Sequence, residues 1–192
     1  MKKLFLIAFA LLGLSNCALL KPTPDYYDLN HDRFFVEING TKTITQLTKE
    51  GGCDLVLDEK MFPVIDKTER WAYMRIFSYS PNCLSSPSAI IEEMKRQKCR
   101  PATIEELVAL GNKYPWLPQM INPIVALGSM YYYPADSIYR EEHWSPELEM
   151  YAGPKWQGKR ALDIHYFSGK LDENFRYEDG QKCYFAAISE DW

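Results

Sequence analysis

Histidine is scarce in this sequence, and its cysteines never come close together: three His and five Cys are spread over 192 residues. His31, His143 and His165 show no H-E-x-x-H spacing and no C-x-x-C occurs, so neither metal ligation nor dithiol redox chemistry has a sequence basis. A phosphate-cradling glycine loop and a Gly-x-Ser-x-Gly elbow are also absent, which leaves nucleotide binding and serine hydrolysis without support. No cofactor and no metal are expected. Basic residues are the minority, 22 against 26 acidic, which removes nucleic acid from the expected partners. No uncharged apolar run reaches the ~20 residues that span a bilayer as a helix. Internal repeats and low-complexity tracts are missing too.

The amino end carries a shorter apolar run. Lys2 and Lys3 precede Leu4 to Leu14, and this positive start, short greasy stretch and small-residue end form an export signal. Leu14-Ser15-Asn16-Cys17 then resembles the lipobox of bacterial lipoproteins, in which the cysteine is acylated and becomes the new amino terminus. Asn16 departs from the usual Gly, Ala or Ser. The alternative is an ordinary signal peptidase, which would remove Cys17 or leave it as a spare thiol. The resemblance implies a signal peptide over 1–16, a lipidated tether over 17–32 and a membrane contact made through acyl chains. Ala18, in place of the aspartate associated with inner-membrane retention, implies the outer membrane, on its periplasmic or surface face. Without Lys2 and Lys3 the 22 basic residues become 20 against 26 acidic, a net charge of −6 that argues against adsorption to anionic headgroups.

With Cys17 lipidated, Cys53, Cys83, Cys99 and Cys183 remain. Four cysteines in an oxidising compartment predict two disulfides with three possible connectivities. The remaining chain, 33–192, is one ordinary domain by length and can bury a core without depending on its bridges.

Residues 34–47, FFVEINGTKTITQL, alternate about Asn39-Gly40 and predict an N-terminal β-hairpin. CDLVL (53–57) and WAYMRIFSYS (71–80) predict further strands. Ser86 followed by Pro87 starts a helix carrying Ile90, Ile91 and Met94. A capping box, Thr103 with Glu106, starts a second helix that Gly111 is placed to end. PIVALGSMYYY, ALDIHYF and KCYFAAIS read as later strands, with a long irregular stretch over 134–160. The class expected is α+β, two helices packed on antiparallel strands.

EEMKRQKCRPATIEEL, followed by IVALGS and closed by KCYFAAIS, resembles the C-type-lectin-like fold in its bacterial forms, over about 71–190. The resemblance implies that the terminal strand returns beside the first, and that a long variable loop follows the strand at 124–133. It also implies that the helix at 86–98 and the strand at 182–189 bring Cys99 to Cys183, leaving Cys53 to Cys83. The family's calcium-dependent sugar tripeptides are missing, as are the paired catalytic cysteines of its formylglycine-generating members. Neither activity is carried over.

Asp28, Asn30 and Asp32 begin like a calcium loop, but Arg33 stands where glycine is needed and Asn39 where a closing Glu is needed, so a solvated tether is the reading. Asp163 and His165 share a strand face as a weak metal or acid-base pair, for which a hydrogen-bonded strand histidine is the plainer account. The abundant feature is aromatic: Tyr131, Tyr132, Tyr133, Tyr139, Trp144, Tyr151 and Trp156 crowd one stretch. Rigid amphipathic rings of this kind serve glycan-stacking or protein-binding surfaces, or else fill the core beneath a loop. Tyr131, Tyr133, Tyr139, Trp144, Tyr151 and Trp156 are the ligand-binding candidates, with Tyr131 and Tyr133 on one strand face. The function expected is a membrane-anchored, non-catalytic binding or adhesion module with a glycan or protein ligand. The alternatives are an envelope polysaccharide- or peptidoglycan-acting enzyme, using acids such as Glu141, Glu142 and Asp163, and a structural envelope lipoprotein without soluble ligand.

Overall fold

The computed structural model describes residues 33–79, 86–132, 143–150, 159–167 and 183–190. The expected signal over 1–16, Cys17 and the expected tether over 17–32 lie outside these residues, as do Cys83, Tyr133, Tyr139, Glu141, Glu142, Tyr151 and Trp156.

The first strand, β1 (Phe34–Asn39), buries Phe34, Val36 and Ile38 on alternate positions. Asn39-Gly40 then turns the chain into a helix, and the expected N-terminal hairpin does not form. Helix α1 (Ile44–Gly51) starts there because Thr43 and Gln46 make a capping box: the Gln46 side chain accepts the Thr43 amide at 2.9 Å, and Thr43 Oγ1 accepts the Gln46 amide at 3.2 Å. Asn39 Oδ1 accepts the Thr41 amide at 3.1 Å, a side-chain turn that competes with the hairpin geometry. Gly52, at φ 64°, closes α1 in the left-handed region.

Strand β2 (Asp54–Leu55) is the part of the 53–57 run that forms. Strand β3 (Glu69–Tyr79) pairs antiparallel with β1, Phe34 opposite Met74 and Asn39 opposite Glu69. Helix α2 (Pro87–Arg96) begins at Ser86, whose Oγ accepts the Ala89 amide at 3.2 Å. Strand β4 (Cys99–Pro101) leads into α3 (Ile104–Lys113), where the Glu106 carboxylate accepts the Thr103 amide at 2.8 Å. Gly111 lies inside α3 and does not end it; a Cβ there would stand 2.6 Å from Leu148, so its role is close packing.

Beyond α3 the chain forms a short α4 (Leu117–Met120), β5 (Ile124–Val125), a 3-10 turn over Leu127–Ser129, and β6 (Tyr131–Tyr132). The stretch expected to be irregular contains β7 (His143–Met150), which pairs along its whole length with β8 (Arg160–Phe167). Pro146 lies inside this strand. It is accommodated just beyond the two-residue pairing with β5, where its carbonyl accepts the Ala126 amide at 3.0 Å. The last strand is β9 (Cys183–Ser189).

Among the described residues one curled nine-stranded sheet results, ordered β1-β3-β9-β5-β7-β8-β2, with β4 also paired to β9 and β6 to β7. Most pairings are antiparallel, but β2 with β8 and β5 with β9 are parallel. Strand β9 is buried on both faces. Ala186 and Ile188 join the core under α1 and α3, while Phe185 and Ala187 pack with Phe77, Val125, and Ile90 and Met94 of α2. Burial from both sides explains why this strand reads as continuously apolar.

Candidate binding surfaces

Of the six nominated rings, Tyr131 and Trp144 fall within the described residues, and the β6–β7 register sets them directly opposite each other. Both are half-buried and packed against the main core, and Tyr131 meets Phe62 edge-on at 6.3 Å. Opposed cross-strand rings stabilise a pair of strands by contact. In part, then, they are the core filling that the sequence left as the second possibility.

A different aromatic surface is the more exposed one. On β1 and β3 the residues between the buried ones point outward: Phe35, Trp71 and Tyr73, with Trp71 46% and Tyr73 36% exposed. Phe35 lies opposite Tyr73 and diagonal to Trp71. Its ring stacks on Trp71 at 4.9 Å with 9° between planes and meets Tyr73 at 4.9 Å and 41°. Lys113, at the end of α3, brings its ammonium to 5.1 Å from the Phe35 ring and 5.5 Å from the Trp71 ring. Its position is fixed by the next residue, since the Tyr114 hydroxyl donates to the Phe35 carbonyl at 3.1 Å. In the sequence, W-A-Y-M alternates aromatic and buried residues, which places Trp71 and Tyr73 on one face of the strand.

Beside the rings runs a groove of about 440 Å³ between α1, α3 and the edge of β1, with Glu37, Asn39, Lys42 and Lys113 among its lining residues. Lys42 is paired with Glu50 at 2.8 Å.

The acids divide into two groups. At the start of α3, Glu105 and Glu106 are fully buried, and Arg70 of β3 approaches them at 3.6 and 2.9 Å. Burial works against ionisation of Glu106, but hydrogen bonds and charge from Arg100, with the Thr103 amide and Arg70, outweigh it and hold its carboxyl below the usual carboxylate range. A carboxylate tied to two guanidiniums in this way is a structural anchor. Elsewhere, Asp163 stands opposite Glu147 across β7 and β8, and His165 opposite Ser145. Asp163 Oδ1 accepts the Ile164 amide at 2.8 Å, and Ser145 Oγ donates to the Ala126 carbonyl at 2.6 Å. Among the described residues no group of three or more His, Cys, Asp or Glu is placed to hold a metal ion, and no helix is long and apolar enough to cross a membrane.

The register corrects the expected cysteine pairing. Cys99 lies opposite Ser189, whereas Cys183 lies opposite Tyr79, so six residues of β9, roughly 20 Å, separate Cys99 from Cys183. Such a gap is far beyond disulfide reach. Cys53 is a buried thiol in the core under α1, and burial pushes it up to about 11 against the pull of Arg160. Cys99 is buried on the other side of the sheet, under α2.

No protein-family model matches the chain, and no curated protein and no solved structure matches it.

Proposed function

We propose that this chain is an exported, lipid-anchored protein of the cell envelope, tied to the outer membrane by an acylated Cys17, whose single domain is a non-catalytic binding module. The anchor reading is supported by Lys2-Lys3, the short apolar run and Leu14-Ser15-Asn16-Cys17. A C-type-lectin-like fold is the finer reading of the domain. It is supported by the terminal strand β9 lying antiparallel beside β3, and by helices α2 and α3 being joined through the short strand at Cys99–Pro101.

The observation that carries the binding reading is the opposition of Tyr131 and Trp144 on β6 and β7. It sets two of the candidate rings on adjacent strands, and rigid amphipathic rings are what glycan- and protein-binding surfaces use. The ligand class is a glycan or a protein surface of the envelope or the host. A second reading, an enzyme acting on envelope polysaccharide, is favoured by one pair: Glu147 and Asp163 are direct cross-strand neighbours, and glycoside hydrolysis works through two carboxylates.

Metabolic labelling with a palmitate analogue tests the anchor. The wild type takes up label and Cys17→Ser does not; an unlabelled wild type with a processed amino terminus elsewhere removes the lipoprotein reading. Incubation with purified peptidoglycan sacculi separates the two functional readings. Retention without release of soluble fragments is the binder's outcome, and fragment release abolished by Asp163→Asn is the enzyme's.

A further inference from the structure

We propose that Asn39 is a deamidation site gated by folding: the native chain holds it as the amide, and the unfolded chain converts it to aspartate and isoaspartate. The sequence holds one Asn-Gly, residues 39–40. Asparagine is chemically labile, and most so before glycine, which has no Cβ to hinder attack by the glycine amide nitrogen. In the reaction the Gly40 nitrogen loses its proton and bonds to Asn39 Cγ, and the side-chain nitrogen leaves as ammonia. Water then opens the five-membered imide at either carbonyl, giving an aspartyl or an isoaspartyl residue.

The fold restrains the attacking nitrogen and the attacked carbon separately. The Gly40 amide donates to the Thr68 carbonyl at 3.0 Å, so its proton is held and its nitrogen is aimed across the turn. Gly40 is buried, and a Cβ built on it would stand 1.8 Å from the Asp66 carbonyl oxygen, which leaves the backbone no room on that side. Thr68 is itself fixed, since Asp66 Oδ1 accepts its amide at 3.1 Å and its hydroxyl at 2.7 Å. The Asn39 carboxamide is held at both ends. Its Nδ2 donates to Glu69 Oε1 at 2.8 Å, while its Oδ1 accepts the Thr41 amide at 3.1 Å and the Thr41 hydroxyl at 2.6 Å. Turning Cγ onto the Gly40 nitrogen requires these bonds to break together with the one from Gly40 to Thr68.

The same packing explains why so labile a pair stands here. The close approach of Asp66 admits only glycine at 40, and a carboxamide at 39 supplies both a donor for Glu69 and an acceptor for Thr41. An aspartate at 39 keeps the acceptor but loses the donor, and it sets a second carboxylate against Glu69 across the last pair of the β1–β3 ladder. An isoaspartate adds a methylene to the main chain between 39 and 40 and shifts Gly40 away from Thr68. Either product disfavours the fold that protected the amide, so each conversion promotes further unfolding. The fraction of Asn39 that remains as the amide thereby records the time the chain has spent unfolded.

The test incubates the full chain at mildly alkaline pH, folded in buffer and unfolded in guanidinium, and resolves Asn, Asp and isoAsp at position 39 by peptide mapping and mass spectrometry. Conversion of the native chain proceeds through local opening, so it is expected to be slower than in guanidinium by at least ~10-fold. Thr41→Ala and Glu69→Ala, each shown folded by circular dichroism, are expected to raise the folded rate several-fold relative to the rate of the same variant in guanidinium. Asn39→Asp is expected to melt below the wild type. Equal rates with and without guanidinium overturn the proposal. So does a folded rate that neither Thr41→Ala nor Glu69→Ala raises, and so does an Asn39→Asp chain that melts with the wild type.

Discussion

Arg100 and Glu106 are six residues apart in sequence and are joined by two hydrogen bonds, Nη1 to Oε2 at 2.9 Å and Nη2 to Oε1 at 2.6 Å. Arg70 of β3 adds a third at 2.9 Å to Oε1. The fork thereby joins β3, the short strand β4 and the start of α3. Removing the Glu106 charge leaves two guanidiniums facing a neutral amide in a buried site. Because Arg100 is 41% exposed and partly screened, the loss for Glu106→Gln is about 2–4 kcal/mol, below the figure for a fully buried pair.

The same carboxylate sets a pH dependence. Its folded value is depressed below 4.5, so its stabilisation is fully present above about pH 4.5 and is lost as pH falls through the folded value. Chemical denaturation between pH 3 and 7 should show a falling acid limb in the wild type and a shallower one in Glu106→Gln. Equal limbs would mean that other carboxylates control acid unfolding.

Arg160 gives a second test. Its Nη1 donates to the Gly111 carbonyl at 2.5 Å and its Nη2 to the Gly51 carbonyl, so one side chain on β8 satisfies the C-terminal ends of both α1 and α3. Arg160→Ala leaves two partly buried carbonyls without that donor, and Arg160→Lys can serve only one of them. The expected losses are about 2–4 kcal/mol for Ala and about half of that for Lys, measured as the change in denaturation midpoint at constant slope.

Cysteine chemistry follows from strand register. Tyr79 stands opposite Cys183, and Cys83 follows Tyr79 by four residues, so Cys183 lies within chain reach of Cys83 and out of reach of Cys99. A non-reducing peptide map is expected to join Cys83 to Cys183. Cys53, a buried thiol whose value is pushed up to about 11, should take up iodoacetamide at neutral pH only after unfolding. Recovery of Cys53 joined to Cys83 would contradict both statements.

The elements legible in the sequence were those with local chemistry. The Ser86-Pro87 start of α2, the Thr103–Glu106 box of α3 and the alternating run of β3 are each decided by a few adjacent residues. The failures were decided at a distance. Asn39-Gly40 has the composition of a hairpin turn, but the Thr43–Gln46 box and a partner strand at 69–74 make it a strand-to-helix turn. Pro146 reads as a strand breaker until β5 is seen to end beside it. Among the candidate rings, composition found Tyr131 and Trp144 and their pairing is a matter of register, which a single sequence does not carry. W-A-Y-M shows in sequence that Trp71 and Tyr73 share the face opposite Ala72 and Met74, but how exposed that face is depends on where α2 packs, which a single sequence does not carry.

The last prediction concerns which rings bind. Trp144 packs against the core and opposes Tyr131, so Trp144→Ala is expected to destabilise the domain by about 3–5 kcal/mol, or somewhat less for a half-buried ring, and to weaken binding only through that loss. Tyr133, Tyr139, Tyr151 and Trp156, outside the described residues, remain ligand candidates from sequence; Tyr139 and Trp156 are the two to replace. Replacing either by Ala in the full chain should lower retention on sacculi or on a mucin-coated surface by a factor of at least ~30, a change of about 2 kcal/mol, with the melting temperature nearly unchanged. The contrast is what identifies the site. A Tyr139→Ala or Trp156→Ala chain that melts early places that ring in the core with Trp144. A chain that is stable and fully retained moves the search to Glu147 and Asp163 on the β7–β8 pair, where Glu147→Gln is the next variant to make.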